Sequence, residues 1–236
     1  MRVYGKNTCL EILKSKQKIK KVLLQSSVDE KFKNQILSLY KNVELVDKEY
    51  LNRITNFKNH QGIVIDVEDF KFSSLEEILN VHKEKNTKAF IVVLDNIEDP
   101  QNLGSLIRTS VCAGVDGIII PKNHSASITD TVYKVSCGAI NHIKICEVVN
   151  INDAIKKIKS ENIFVFGLEA GEKKIYDVDL AYHTALVVGS EGKGISSLTK
   201  KLCDEIVSLP MTDKINSLNA SVAGAIGIYE VVRQRV

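Results

Sequence analysis

Three polar segments, each following an apolar run, collect the side chains best able to bind an anion or manage a proton. The first reads NIEDPQNLGSLIRT over residues 96–109. Pro100 and Gly104 shape a turn into a helix about there, and the first N–H groups of a helix can meet an anion. Asn102 stands near that helix start, where it could equally act as an N-cap. Arg108, expected about one turn into the helix, is the only arginine between Arg53 and Arg233 in a chain that otherwise draws its positive charge from lysine. A planar, always-charged fork used at one place suits a geometric task such as clamping a phosphate, though an ordinary salt bridge would use it as well.

The second segment, Gly189-Ser190-Glu191-Gly192-Lys193-Gly194, follows TALVV and places three glycines in six residues. Such a turn lets a ligand approach the backbone. It lacks the GxxxxGK(S/T) of a P-loop, and Ser197 stands where GxGxxG needs its third glycine. Glu191 is either a carboxylate favoured by a helix-start dipole or a functional acid. The third segment, PMTDKINSLNAS over 210–221, leads into the small-residue run SVAGAIGIY. Ser217 or Asn219 could cap that helix and do nothing else.

These loops need a scaffold, and the intervening pattern supplies one. AFIVVLD is a near-continuous apolar run suited to a strand buried on both faces. Strand-like and helix-like stretches alternate from there to a long C-terminal helix candidate, which predicts an α/β domain with a mainly parallel sheet. Ligands of such sheets bind beyond the carboxyl ends of the strands. Before it, KKVLLQ, DEKFKNQILSLY, VELV, KEYLNRIT and QGIVIDVEDF predict a small α/β domain, with Thr8 and Glu11 spaced as a capping box ahead of LEILKSK. The predicted division is a first domain at 1–70, a linker at 71–88 and a second domain at 89–236.

Composition narrows the classes. Hydrophobic residues are 44% and charged residues 26%, the balance of a globular protein and not of a disordered tail or coiled coil. No apolar run approaches the roughly 20 residues of a membrane span, and the N-terminus has no signal-like stretch, so a cytoplasmic protein with no membrane partner is expected. The five cysteines are scattered without CxxC and the histidines without HxxH or HExxH, so no disulfide framework and no metal site are expected. Residues 1–60 carry 13 Lys+Arg against 6 Asp+Glu, a net +7, whereas the remaining 176 are net −4. A basic first module suggests a polyanion partner, although a solvated lysine-rich surface would look alike.

Taken in order, NIEDPQNLGSLIRTS, LVVGSEGKGIS and LPMTDKINSLNASVA resemble the three signature motifs of SPOUT-class RNA ribose 2′-O-methyltransferases, in the TrmH-like branch. YGKNTCLEILKSKQKIKKVLL through NHQGIVIDV is similar to the small L30e-like substrate-binding domain of that branch. The likeness is strongest to bacterial enzymes that methylate a guanosine of 23S rRNA. The resemblance implies a deep trefoil knot in the C-terminal domain, S-adenosylmethionine as methyl donor, and a homodimer with its sites at the interface. It implies that Gly189, Leu209 and Leu218 hold the cofactor. It also implies that Arg108 is the catalytic arginine, with Asn102, Glu191, Ser217 and Asn219 as supporting polar groups. A tRNA-acting relative and a non-catalytic RNA-binding protein on the same scaffold are the competing readings. A Rossmann-type dehydrogenase would rest on the incomplete glycine pattern alone.

Overall fold

The computed structural model describes residues 1–15, 17–212 and 217–236. The chain runs β1 (Arg2–Tyr4), α1 (Lys6–Lys14), β2 (Ile19–Gln25), α2 (Glu30–Leu39), β3 (Val43–Val46), α3 (Lys48–Ile54) and β4 (Ile63–Val67). It continues through α4 (Leu75–Lys85), β5 (Phe90–Asp95), α5 (Pro100–Cys112), β6 (Gly117–Pro121), α6 (Asp130–Val135), β7 (Lys144–Val148) and α7 (Ile151–Ser160). The last elements are β8 (Phe164–Leu168), β9 (Thr184–Gly189), α8 (Ser197–Leu202), β10 (Glu205–Val207) and α9 (Ala220–Arg235). Two compact units result, one of residues 1–71 and 128–142, the other of 72–127 and 143–236.

The first unit is built on a four-stranded sheet ordered β1-β4-β2-β3, with β4 antiparallel to both neighbours and β2 parallel to β3. Tyr4, Leu23, Leu51 and Val64 form one of its apolar clusters. Asp29 and Asp47 cap α2 and α3 by accepting the N–H groups of Phe32 and Tyr50, which meets donors those helices would otherwise leave unpaired. α1 begins differently from the expected capping box. It starts at Lys6, behind Gly5 at φ +102°, and the Lys6 N–H donates to the Gln61 side chain at 2.8 Å. Thr8 is therefore buried inside the helix, and Glu11 faces Lys14 and His142.

The second unit is a six-stranded sheet, all parallel, ordered β10-β8-β9-β5-β6-β7. Side chains alternate across it, as strand geometry requires. Ile91, Val93, Ala185 and Val187 join Ile78 and Leu79 of α4 and Ile155 and Ile158 of α7 in one core. On α9, Gly224 lies against Leu106 of α5 and Val188, and Gly227 against Leu168 and Leu186, so small residues let the helix sit close to the sheet. A covered sheet explains the uninterrupted apolar runs of β5 and β9, each buried throughout.

Two boundaries differ from the sequence reading. The stretch 71–88 is no simple linker, because α4 within it contributes Ile78 and Leu79 to the second core. Residues 128–142 group with the first unit although they lie between β6 and β7. Within that unit Asp130 accepts from the Tyr4 hydroxyl at 2.8 Å and from Lys58 Nζ at 2.7 Å, and Gln17 donates to the Tyr133 hydroxyl. Among the described residues no helix is long and apolar enough to cross a membrane.

Candidate active site

β5 and β9 lie side by side in the middle of the second sheet and stay paired to their last residues, Asp95 opposite Gly189. The chain leaves β5 for β6 on one side, while β8 and β10 lie on the other, so the strand ends part at this point. Two carboxylates shape the loop after β9. Asp95 is buried and accepts the Ser196 N–H at 2.8 Å and the Asn96 side-chain amide at 2.7 Å. Glu169, directly after β8, accepts the Ile195 N–H at 2.8 Å and pairs with Lys200. Ser190 and Gly194 exchange backbone hydrogen bonds across the loop's neck. A Cβ on Gly189 would overlap the backbone of Gly194 and Ile195, so the neck closes only around glycine.

A pocket of about 150 Å³ opens beside this loop. Leu168, Val188, Leu209, Leu218, Ala220 and Ala223 give it apolar walls, and Glu169, Ser190, Glu191 and Ser217 supply polar groups. Gly189, Leu209 and Leu218, the residues implied to hold a cofactor, all line it. A larger cleft of about 500 Å³ adjoins it, lined by Asn96, Asn102, His124, Ser190, Glu191 and Lys193 among others. The two share Ser190, Glu191 and Ala220. Asn219 ties the third segment to this shared wall, its Nδ2 donating to Glu191 Oε2 at 3.2 Å. Its Oδ1 meanwhile accepts the N–H groups of Ser221 and Val222, so it caps α9 as well.

Asn102, Glu191, Ser217 and Asn219 are thus gathered around two adjoining cavities. Asn102 is not a cap, however. Pro100 takes the first helical position, where its missing N–H costs nothing, and Asp99 becomes the N-cap by accepting from Gln101. Arg108 sits two turns into α5 instead of one, is exposed, and lines neither cavity. Lys193 of the second segment lines the cleft, and so does His124, while Glu169 lines the pocket and Asp95 fixes the loop beside it; His124, Glu169 and Asp95 carry no motif of their own. Glu169 is findable by position alone, since it directly follows the apolar run IFVFGL. Residues 213–216 of the third segment lie outside the described residues.

Neither Cys146 nor Cys203 is among the residues lining these two cavities. Burial pushes Cys203 up to about 12 and Cys146 up to about 11, which keeps both protonated and weakly nucleophilic. Among the described residues no three His, Cys, Asp or Glu side chains gather as a metal-ligand group.

Comparison with known proteins gives this arrangement a family. Residues 89–229 match the SpoU rRNA methylase family, and residues 2–73 match the RNA 2′-O ribose methyltransferase substrate-binding family. YacO of Bacillus subtilis, assigned to the TrmH family of tRNA/rRNA methyltransferases, is 37% identical over 99% of this chain and 95% of its own. A Staphylococcus haemolyticus protein with the same family assignment is also 37% identical, over 99% of this chain and 95% of its own. The fold is that of the SpoU methyltransferase AviRb from Streptomyces viridochromogenes, solved in complex with AdoMet. The TM-score is 0.83 at 23% identity, covering 100% of this chain and 90% of that one. With both units matched and the loops at the strand ends converging on one pair of cavities, the chain belongs to the SpoU rRNA methylase family, in its TrmH-like branch.

Proposed function

We propose that this protein transfers a methyl group from S-adenosylmethionine to the ribose 2′-hydroxyl of a guanosine in 23S rRNA. The observation that carries the reading is the shared wall: a small, largely apolar pocket abuts a larger polar cleft across Ser190 and Glu191. Donor and acceptor of a methyl group must meet at one point, and adjoining cavities with a common wall allow it. The residues present fit the donor. Apolar side chains of Leu168, Val188, Leu209 and Leu218 suit a flat heteroaromatic ring, and the backbone at Gly189, where no side chain fits, can approach it closely. When bound, S-adenosylmethionine supplies an electrophilic methyl group on a sulfonium.

The acceptor side falls to this chain's own groups. Asn102, His124 and Lys193 line the cleft and can hold a sugar–phosphate segment. Glu191, steadied by Asn219, stands between the cavities. The proposed part of Arg108 is to orient the hydroxyl and steady developing charge in concert with an RNA phosphate. Since Arg108 lines neither cavity within one chain, we further propose a homodimer in which a second copy completes the site. Val222, Ile226 and Tyr229 are exposed on one face of α9, the helix against which α5 packs, and suit such a contact. Residues 1–71 would present the RNA, in keeping with the net +7 of the first 60. The deep trefoil knot belongs to the same proposal and rests on the resemblance.

The test is methyl transfer to a 23S rRNA fragment and to tRNA, with the modified nucleotide mapped and then replaced by its 2′-deoxy form. Incorporation into the rRNA guanosine that vanishes with the 2′-deoxy substitution is the expected result. Transfer that persists at the same nucleotide overturns the ribose assignment, and transfer confined to tRNA overturns the rRNA one.

A further inference from the structure

The first unit carries a depression of about 650 Å³ to which no role has been attached. Three lysines, Lys6, Lys48 and Lys58, line it together with Asn52, Asn59, His60 and Phe57. Phe57 is the unusual member. It is 77% exposed, more than any other phenylalanine among the described residues. Leaving such a ring in water forgoes the stabilisation that burial gives an aromatic side chain. Nor does the backbone there explain it as slack. Asn56 and Phe57 are both left-handed, at φ +51° and +56°, a conformation uncommon for asparagine and an outlier for a bulky aromatic. The loop is pinned in it. The Phe57 N–H donates to the Asn52 carbonyl at 2.8 Å, the Lys58 N–H to the Thr55 carbonyl, and the Thr55 hydroxyl to the Leu51 carbonyl.

The floor is equally fixed. His60 is buried, accepts the Gly62 N–H at Nδ1 and meets Asn52 Oδ1 through Nε2, each at 3.0 Å. Burial, and then Lys48, lower its pKa, which keeps the imidazole neutral with Nε2 carrying the proton. The cations divide by commitment. Lys58 is held by Asp130 at 2.7 Å, whereas Lys6 lies over the Phe32 ring at 4.5 Å with an exposed ion-pair partner, Asp29, at 3.4 Å, and Lys48 is exposed. A rigid aromatic face beside lysines and side-chain amides matches the parts of an unpaired nucleotide: a π-face, a phosphate and a polar base edge.

We propose that this pocket receives one unpaired nucleotide of the RNA, its base stacked on Phe57 and its phosphate near Lys6 and Lys48. The proposal rests on the reading of the protein as an RNA-modifying enzyme and adds what the first unit recognises: single-stranded RNA. Duplex RNA keeps its bases stacked on one another and has no face to offer Phe57.

The full-length protein should be titrated with a labelled oligoadenylate of about eight nucleotides, and with a duplex of the same length. Phe57→Leu should weaken single-strand binding by about tenfold and leave the salt dependence unchanged, while Phe57→Tyr restores it. Lys48→Gln should reduce the slope of log affinity against log salt by about one. Equal binding by Phe57→Leu and wild type, a Phe57→Leu loss that Phe57→Tyr fails to restore, or a wild type that binds the duplex as tightly as the strand, overturns the proposal. Methyl transfer by the wild type, run in parallel, separates it from the catalytic reading. Active enzyme with an indifferent Phe57 sinks the pocket alone; a Phe57-dependent protein that methylates no RNA sinks the catalysis alone.

Discussion

Gly189 ends β9 at a point where any side chain would meet the backbone of Gly194 and Ile195, main chain that cannot move aside as a flexible side chain would. Gly189→Ala should therefore open the neck of the loop and displace Glu191 with it. A loss of about 1–3 kcal/mol in stability is expected from the overpacking, by urea unfolding. Cofactor affinity should fall by about tenfold or more in calorimetry, because the displaced loop also walls the pocket. The same neck shows where residue-level reading succeeds and stops. Glycine clusters and a solitary arginine announce themselves by type. Asp95 and Glu169 are single acids at the ends of apolar strands, and only the fold reveals that each accepts an N–H from a loop far along the chain, Asp95 from Ser196 and Glu169 from Ile195.

Among the elements, α6 illustrates how a short helix is held by chemistry that its own sequence does not display. Asp130, its first residue, takes hydrogen bonds from Tyr4 and Lys58. Burial pushes the Asp130 carboxyl upward, yet the bonds from Lys58 and Tyr4, with the Lys58 charge and the Thr131 N–H, together hold the pKa below the ordinary aspartate value. A depressed native pKa stabilises the fold at pH values above the unfolded one, and the contribution disappears as acid protonates the carboxylate. Asp130→Asn should cost on the order of 1 kcal/mol near neutrality, the Lys58 side being open to solvent. That difference should shrink as the pH falls through about 4 and below, when urea unfolding of the two proteins is compared. The helix itself was legible from SITDTVYKV. Its membership of the first unit was not, because a tyrosine at position 4 and a lysine at position 58 lie too far off in sequence for any local pattern to connect. β1, at three residues, was too short to show a period at all.

For the molecule as a whole, the α/β class and the parallel sheet could be read from alternation and apolar runs, since a sheet covered on both faces leaves a strong mark on composition. Strand order could not, because β5 and β9 pair across the 88 residues from 96 to 183. The exposed stripe of Val222, Ile226 and Tyr229 on α9 bears on the proposed dimer. Ile226→Arg should yield a monomer in analytical ultracentrifugation and reduce methyl transfer by about tenfold or more, with cofactor binding kept. A dimeric, active variant would place the interface elsewhere.

The central pairing of β5 with β9 has one more consequence, and it concerns time. The pocket needs Gly189 and Leu209, and its far wall needs the start of α9, so its parts are spread over roughly the last third of this sequence while its base was laid down at β5. A ribosome adding about 5–20 residues per second would finish the basic first unit, whose last residues are 128–142, seconds before the site could close. If the first unit holds RNA as proposed, the nascent chain would bind it during that interval without being able to modify it.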